Sequence, residues 1–146
     1  MAEKKWVHEC QVAGDKYGVP PALIWAVIQE ESGGQATVVS KAGAVGLMQV
    51  IPGIHSCGKT KEQLLNPKYN VDCGALILRS YHDATDRDWS SETLVKRALA
   101  AYNWGPGNVM HQPKYDDWPP ETQRYADIIW KLYQEGKEGT VWKIPS

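Results

Sequence analysis

Apolar positions recur at helical spacing along most of this 146-residue chain, and turn-forming residues separate the recurrences. Trp6, Cys10, Ala13 and Tyr17 share one face of a helix predicted over residues 2–18, which Gly18 and Pro20 close. Pro20 and Pro21 then suit a helix start, and the run PALIWAVIQEES continues to a stop at Gly33-Gly34. Residues 35–58 hold Gly, Val and Ser without helical period and read as loops with one or two very short strands. A short helix is expected at 61–65, ending before Asn66-Pro67, and a longer one at 69–84 on the stripe Val71, Ala75, Leu78, His82. Ser90 or Ser91 caps a fifth helix that Gly105-Pro106-Gly107 ends. A Pro-rich loop leads to a last helix at 121–135, and the tail TVWKIPS shows no period. The fold class is therefore mainly α, with a small irregular or β-hairpin element near residues 36–51.

One position breaks the pattern. On a wheel of about 100° per residue, Leu23, Ile24, Val27 and Ile28 centre an apolar stripe, and Glu31 falls near its middle. Glu30 lies at the stripe's edge and points away, while Gln29 lies nearly opposite. A carboxyl on a core-facing stripe is costly unless it is paired or protonated. Desolvation of this kind raises the pKa toward the working pH, as a general acid requires. A helix fraying at Gly33, with Glu31 reaching solvent, is the plainer alternative. Tyr102 centres the stripe Leu94, Val95, Ala98, Leu99, and Tyr125 is flanked by Thr122, Ile129 and Leu132. Either tyrosine alone reads as core, but together they offer polar tips to one buried carboxyl.

Composition narrows the class. The length suits one domain, residues 1–146, and such a chain buries enough surface to fold without staples. A net charge of −1 gives no basic field for nucleic acid, and no apolar run approaches a membrane span, so neither partner is expected. Seven Trp and seven Tyr with no Phe put polar-tipped rings where sugars could stack, or simply fill the core. The four His and three Cys match no metal spacing, and no metal or cofactor is expected. Cys57 and Cys73 flank a loop-rich stretch and are candidates for a disulfide, with three free thiols as the alternative; Cys10 reads as a buried thiol. The N-terminus lacks the apolar core and cleavage site of a signal peptide.

Four segments, in order, carry a resemblance. They are Glu31-Ser32; Gly46-Leu47-Met48-Gln49; Ala101-Tyr102-Asn103-Trp104-Gly105; and Glu121-Thr122 followed by Tyr125. Over roughly residues 16–135 the chain resembles the soluble lytic transglycosylases, a lysozyme-like family related to goose-type lysozymes. The resemblance implies a two-lobed all-α domain with a substrate groove, acting on peptidoglycan glycan strands in the bacterial cell wall, in the periplasm or outside the cell. It also suggests a monomer, with delivery as a phage endolysin released through a holin, or separation from an export signal, among the settings. By the same resemblance, Glu31 is the acid/base residue and Ser32 steadies its neighbourhood. Met48 and Gln49 line the groove beside the cut bond, while Tyr102 and Asn103 orient Glu31 and the substrate acetamido group. Tyr125 bonds the catalytic carboxyl, and Glu121 meets substrate at the groove edge. Gly33-Gly34, Trp104 and Cys73 depart from the family's usual residues, which bears on substrate detail.

The expected reaction cuts the β-1,4 bond between N-acetylmuramic acid and N-acetylglucosamine and leaves 1,6-anhydro ends. Ordinary glycosidases use two carboxylates, and only Glu31 has a case here, so the substrate's own N-acetyl group would assist. A hydrolytic goose-type-like lysozyme using Asp116 or Asp117 to position water is one competing reading. A non-catalytic peptidoglycan-binding module is another.

Overall fold

Pro21 opens the helix on which the rest of the chain is organised. A computed structural model describes residues 5–53, 57–83, 88–138 and 142. Among them are seven α-helices: α1 Val7–Tyr17, α2 Pro21–Ser32, α3 Lys61–Leu64, α4 Pro67–Asp83, α5 Glu92–Trp104, α6 Pro106–His111 and α7 Pro120–Lys137. The chain is mainly helical, as its periodicity indicates. The expectations for residues 2–4, for 54–56 and 84, and for most of the tail lie outside the described residues.

α2 packs most extensively on α7, and α7 also on α5; α1 and α5 both pack on α4. Leu23, Ile24, Val27 and Ile28 are completely buried. Burying each such side chain is worth about 1.5–3 kcal/mol, enough to hold α2 in the core although its inward stripe ends on the carboxyl of Glu31. α2 ends where Gly33 adopts a left-handed conformation (φ 62°) and its N–H bonds back to Gln29. Ser32 supports this end: its Oγ donates to the Ile28 carbonyl and accepts from the Gly34 N–H.

Helix boundaries depart from the pattern in three places. α1 begins at Val7 because Trp6 is left-handed (φ 71°), and its indole N–H donates to the Gly34 carbonyl, tying the chain start to the end of α2. α4 begins two residues early, at Pro67. Gly105 does end α5, but Pro106 then occupies the first turn of α6, a helix unforeseen in the sequence. The expected cap of α5 is Ser91, whose hydroxyl accepts from the Leu94 N–H.

Between α2 and α3 the chain makes isolated antiparallel bridges, Val39 with Val45 and Val45 with Val50. Asn70, fully buried on α4, holds this loop: its Nδ2 donates to the carbonyls of Val45 and Leu64, and its Oδ1 accepts from the Met48 N–H. Gly46 (φ 75°) lies where a Cβ would run into the Asn70 amide and stand 2.8 Å from the Leu64 oxygen. Cys57 is bonded to Cys73 of α4, with their Cα atoms 5.8 Å apart, so the far end of the same loop is anchored to the same helix. Cys10 is a buried free thiol, and burial pushes its pKa upward.

Candidate active site

Glu31 stands on the last turn of α2, facing α7. The Tyr125 hydroxyl donates to its Oε2 at 2.8 Å. Burial is the largest influence on this carboxyl and raises its pKa. The Tyr125 bond opposes that shift, and the nearby Glu30 charge adds to it; the outcome is about 7 against an ordinary 4.5. The group is therefore poised to give and regain a proton near neutrality. Tyr125 is itself buried, and desolvation, followed by the negative charge of Glu31, holds its phenol firmly protonated. It stays a neutral hydroxyl throughout the range in which Glu31 titrates.

Tyr102 lies close enough for the Glu31 charge to raise its pKa, behind the larger effect of burial. Its hydroxyl, however, donates to the Met48 carbonyl at 2.7 Å and not to Glu31. The expectation that Tyr102 orients the carboxyl directly is corrected: it pins the Met48–Gln49 loop against α5. Met48 also differs from expectation. Its side chain is wholly buried and fills the space over Gly74 on α4, where a Cβ would meet the Met48 side chain. A groove-lining Met48 side chain is thereby excluded, although its backbone oxygen faces Tyr102. Gln49 sits at φ 52° and its amide donates to the carbonyls of Val38 and Gly46, which fixes the loop's turn.

Asn103 is exposed, and its Oδ1 accepts from the buried Thr122 hydroxyl at 2.9 Å, joining α5 to the first turn of α7. Beside Tyr125 opens a cavity of about 560 Å³ lined by Glu30, Asn103, Pro120, Glu121, Arg124 and Tyr125. Glu121 thus stands at its edge. Glu30, read as pointing away, faces this cavity from the exposed side of α2. Asp116 and Asp117 are both exposed on a 3₁₀ turn, Tyr115–Asp117, and Asp116 lines a different cleft. The structure therefore brings together Glu31, Tyr125, Tyr102 and the Met48 carbonyl, with Asn103 and Glu121 beside them, and leaves the Asp pair elsewhere.

Asn70 was not legible as part of the site, since a polar residue in a helix first turn is ordinarily exposed; Thr122 stood out in the sequence, but without a role. Only the fold shows that Asn70 holds the 45–48 loop and that Thr122 holds Asn103. Among the described residues, no three His, Cys, Asp or Glu side chains gather as a metal site would need.

Residues 9–124 match the family model described as the transglycosylase SLT domain. The membrane-bound lytic murein transglycosylase C of Cronobacter sakazakii is 33% identical over 119 residues, 73% of this chain and 32% of that protein. The endo-type membrane-bound lytic murein transglycosylase A of Citrobacter koseri is 39% identical over 84 residues, 51% of this chain and 41% of that protein. The chain thus spans well under half the length of these curated relatives. The fold is shared with the 70 kDa soluble lytic transglycosylase of Escherichia coli: the TM-score is 0.74 at 22% identity, covering 93% of this chain and 25% of that one.

Proposed function

The chain belongs to the transglycosylase SLT domain family, and from that premise we propose that it cleaves the glycan strands of peptidoglycan, with Glu31 as the acid/base residue. The observation that carries this reading is the half-buried Glu31 carboxyl, hydrogen-bonded by Tyr125 and raised to about 7. The proposed bond is the β-1,4 linkage from N-acetylmuramic acid to N-acetylglucosamine. Protonated Glu31 gives its proton to the glycosidic oxygen as the C1–O bond breaks. The muramyl N-acetyl oxygen supports the electron-poor C1. Glu31, now a carboxylate, takes the proton of the C6 hydroxyl, whose oxygen bonds to C1 and closes a 1,6-anhydro ring. The carboxyl ends protonated, and no water is consumed.

Tyr125 supports both halves of this cycle. Its hydrogen bond is strongest to the carboxylate, so it limits how far burial raises the pKa and keeps Glu31 able to release its proton. Tyr102, Gln49 and Asn70 hold the 45–49 loop, which Tyr102 joins to α5. A hydrolytic route needs a second carboxylate to activate water, and the exposed positions of Asp116 and Asp117 do not favour one. The proposed place of action is the bacterial cell wall. No helix among the described residues is long and apolar enough to cross a membrane.

Paired substitutions test the assignment. Glu31→Gln keeps the shape and the acceptor for Tyr125, and is expected to abolish digestion of purified sacculi while the circular dichroism spectrum stays native. Glu30→Gln is expected to retain most activity. Comparable losses in both variants would overturn the role given to Glu31.

A further inference from the structure

A second cleft, of about 850 Å³, opens between the N-terminal half of α5, residues 113–118 and α7, and shares no lining residue with the cavity beside Tyr125. Its contribution from α7 is Asp127, two residues from Tyr125 and so about 160° away around the helix. The size is that of a small-molecule site.

The floor of this cleft is held rigidly. Lys96, only 16% exposed in its side chain, reaches Glu92 at 2.7 Å and Asp127 at 2.9 Å, so one ammonium engages both acids. The Tyr115 hydroxyl donates to Asp127 at 2.6 Å, and the Lys96 ammonium stands 5.5 Å from the Tyr115 ring centre. Trp118 packs at a tilt against that ring, centres 5.4 Å apart, and its own indole N–H is fixed on the Gln112 carbonyl. Tyr115 is thus an oriented aromatic ring that still leaves 36% of the residue exposed.

The charges of the lining balance, three cations against three acids, but they are unevenly partnered: Lys96 is taken up by both Glu92 and Asp127, whereas Arg97 and Lys114 are left with Asp116 among the remaining lining residues. Arg97 commits its Nε to the Pro113 carbonyl, which orients the rest of the guanidinium. Neither Arg97 nor Lys114 has an ion pair among the described residues. An exposed ring beside a guanidinium and an ammonium suits a sugar that carries a carboxylate: the ring covers an apolar sugar face, the cations take the acid, and Glu92 and Asp127 accept hydroxyl hydrogens.

We propose that this cleft is a second saccharide site, binding an acidic amino-sugar segment of the glycan strand away from the bond being cut. The identity of that ligand rests on the proposed action on peptidoglycan; the cleft itself does not. Such a site would keep the protein on a long peptide-free glycan strand between cuts and would matter little for a short one.

The test uses the Glu31→Gln protein, isotopically labelled, titrated with tetrasaccharides from amidase-stripped glycan strands, whose lactyl carboxylates are free. Shifts are expected at Thr93, Arg97, Tyr115 and the Trp118 indole N–H. Lys114→Ala, on an exposed loop residue, and the pair Arg97→Ala with Lys114→Ala are each expected to weaken binding there, the pair by roughly 10-fold or more. Tyr115→Phe keeps the ring and is expected to bind well, whereas Tyr115→Ala does not. In the active protein, Tyr115→Ala is expected to raise the half-saturation on long amidase-stripped glycan strands several-fold and leave turnover of a short stripped strand unchanged. Shifts confined to residues around Tyr125, affinity unchanged in the variants, or equal losses on both substrates would overturn the second site while leaving the proposed function standing. Shifts at the cleft with no cleavage of any glycan would do the reverse. Binding nowhere and no cleavage would remove both.

Discussion

Replacing Glu31 with Gln should stabilise the protein, and by an amount that depends on pH. The carboxyl titrates at about 7 in the folded chain against an ordinary 4.5. The folded state therefore binds this proton more tightly than the unfolded state does. The stability that the protonated group contributes is fully present below about 4.5 and is lost as pH rises through about 7. The gap of about 2.5 between those values corresponds to roughly 3 kcal/mol, at about 1.4 kcal/mol per pKa step. Gln cannot titrate, keeps the shape and still accepts from the Tyr125 hydroxyl. At pH 4 the two proteins should be nearly equal in stability; at pH 8 Glu31→Gln should be the more stable by up to about 3 kcal/mol. For a chain of this length that corresponds to a thermal midpoint higher by very roughly 6–12 °C. Thermal and urea unfolding of both proteins at intervals from pH 4 to pH 8, with unchanged m-values, measures it. A stability difference that stays constant across that range, or a wild type that gains on the variant as pH rises, would refute a desolvated, proton-retaining Glu31.

The same carboxyl should give kcat/KM an alkaline limb near pH 7. Tyr125→Phe should move that limb upward, because the lost bond was lowering the Glu31 pKa, and should reduce turnover by the equivalent of roughly 1.5–3 kcal/mol, read from pH–rate profiles. Tyr102→Phe, losing a bond to the neutral Met48 carbonyl, should cost nearer 1 kcal/mol and leave the limb in place. Gly46→Ala should destabilise the fold by about 2–5 kcal/mol in urea unfolding, combining left-handed strain with contact against Leu64 and Asn70. Thiol titration of the denatured, unreduced protein should find one reactive thiol, Cys10, and breaking the Cys57–Cys73 bond should lower stability by roughly 3 kcal/mol.

Glu31 was legible because a wheel shows a carboxyl inside an apolar stripe, and position along a helix depends on local sequence alone. Tyr125 followed in the same way. The partner of Tyr102 did not, because the wheel gives the direction of its ring but not which atom of a distant loop arrives there. Met48 misled for a related reason: in a stretch without period, no pattern separates a side chain facing the groove from one facing α4. Pro106 shows a further limit. Gly105-Pro106-Gly107 reads as a stop, yet proline fits the first turn of a helix as well as it breaks one, and α6 begins there. The cleft lined by Lys96, Arg97, Lys114 and Tyr115 needs α5, the 113–118 segment and α7 to meet, and no single segment announces it.

The masses of the muropeptides released from purified sacculi test the proposed reaction most directly. If Glu31 works alone with the substrate's own N-acetyl group, the main products should end in 1,6-anhydro-N-acetylmuramic acid. They should lack a reducing end, resist borohydride, and weigh one water less than hydrolysis products. Reducing, borohydride-sensitive ends as the main product would contradict the transglycosylase chemistry. Glu31 would then remain as the acid, and Asp116 and Asp117 would be the first residues to substitute in search of a base.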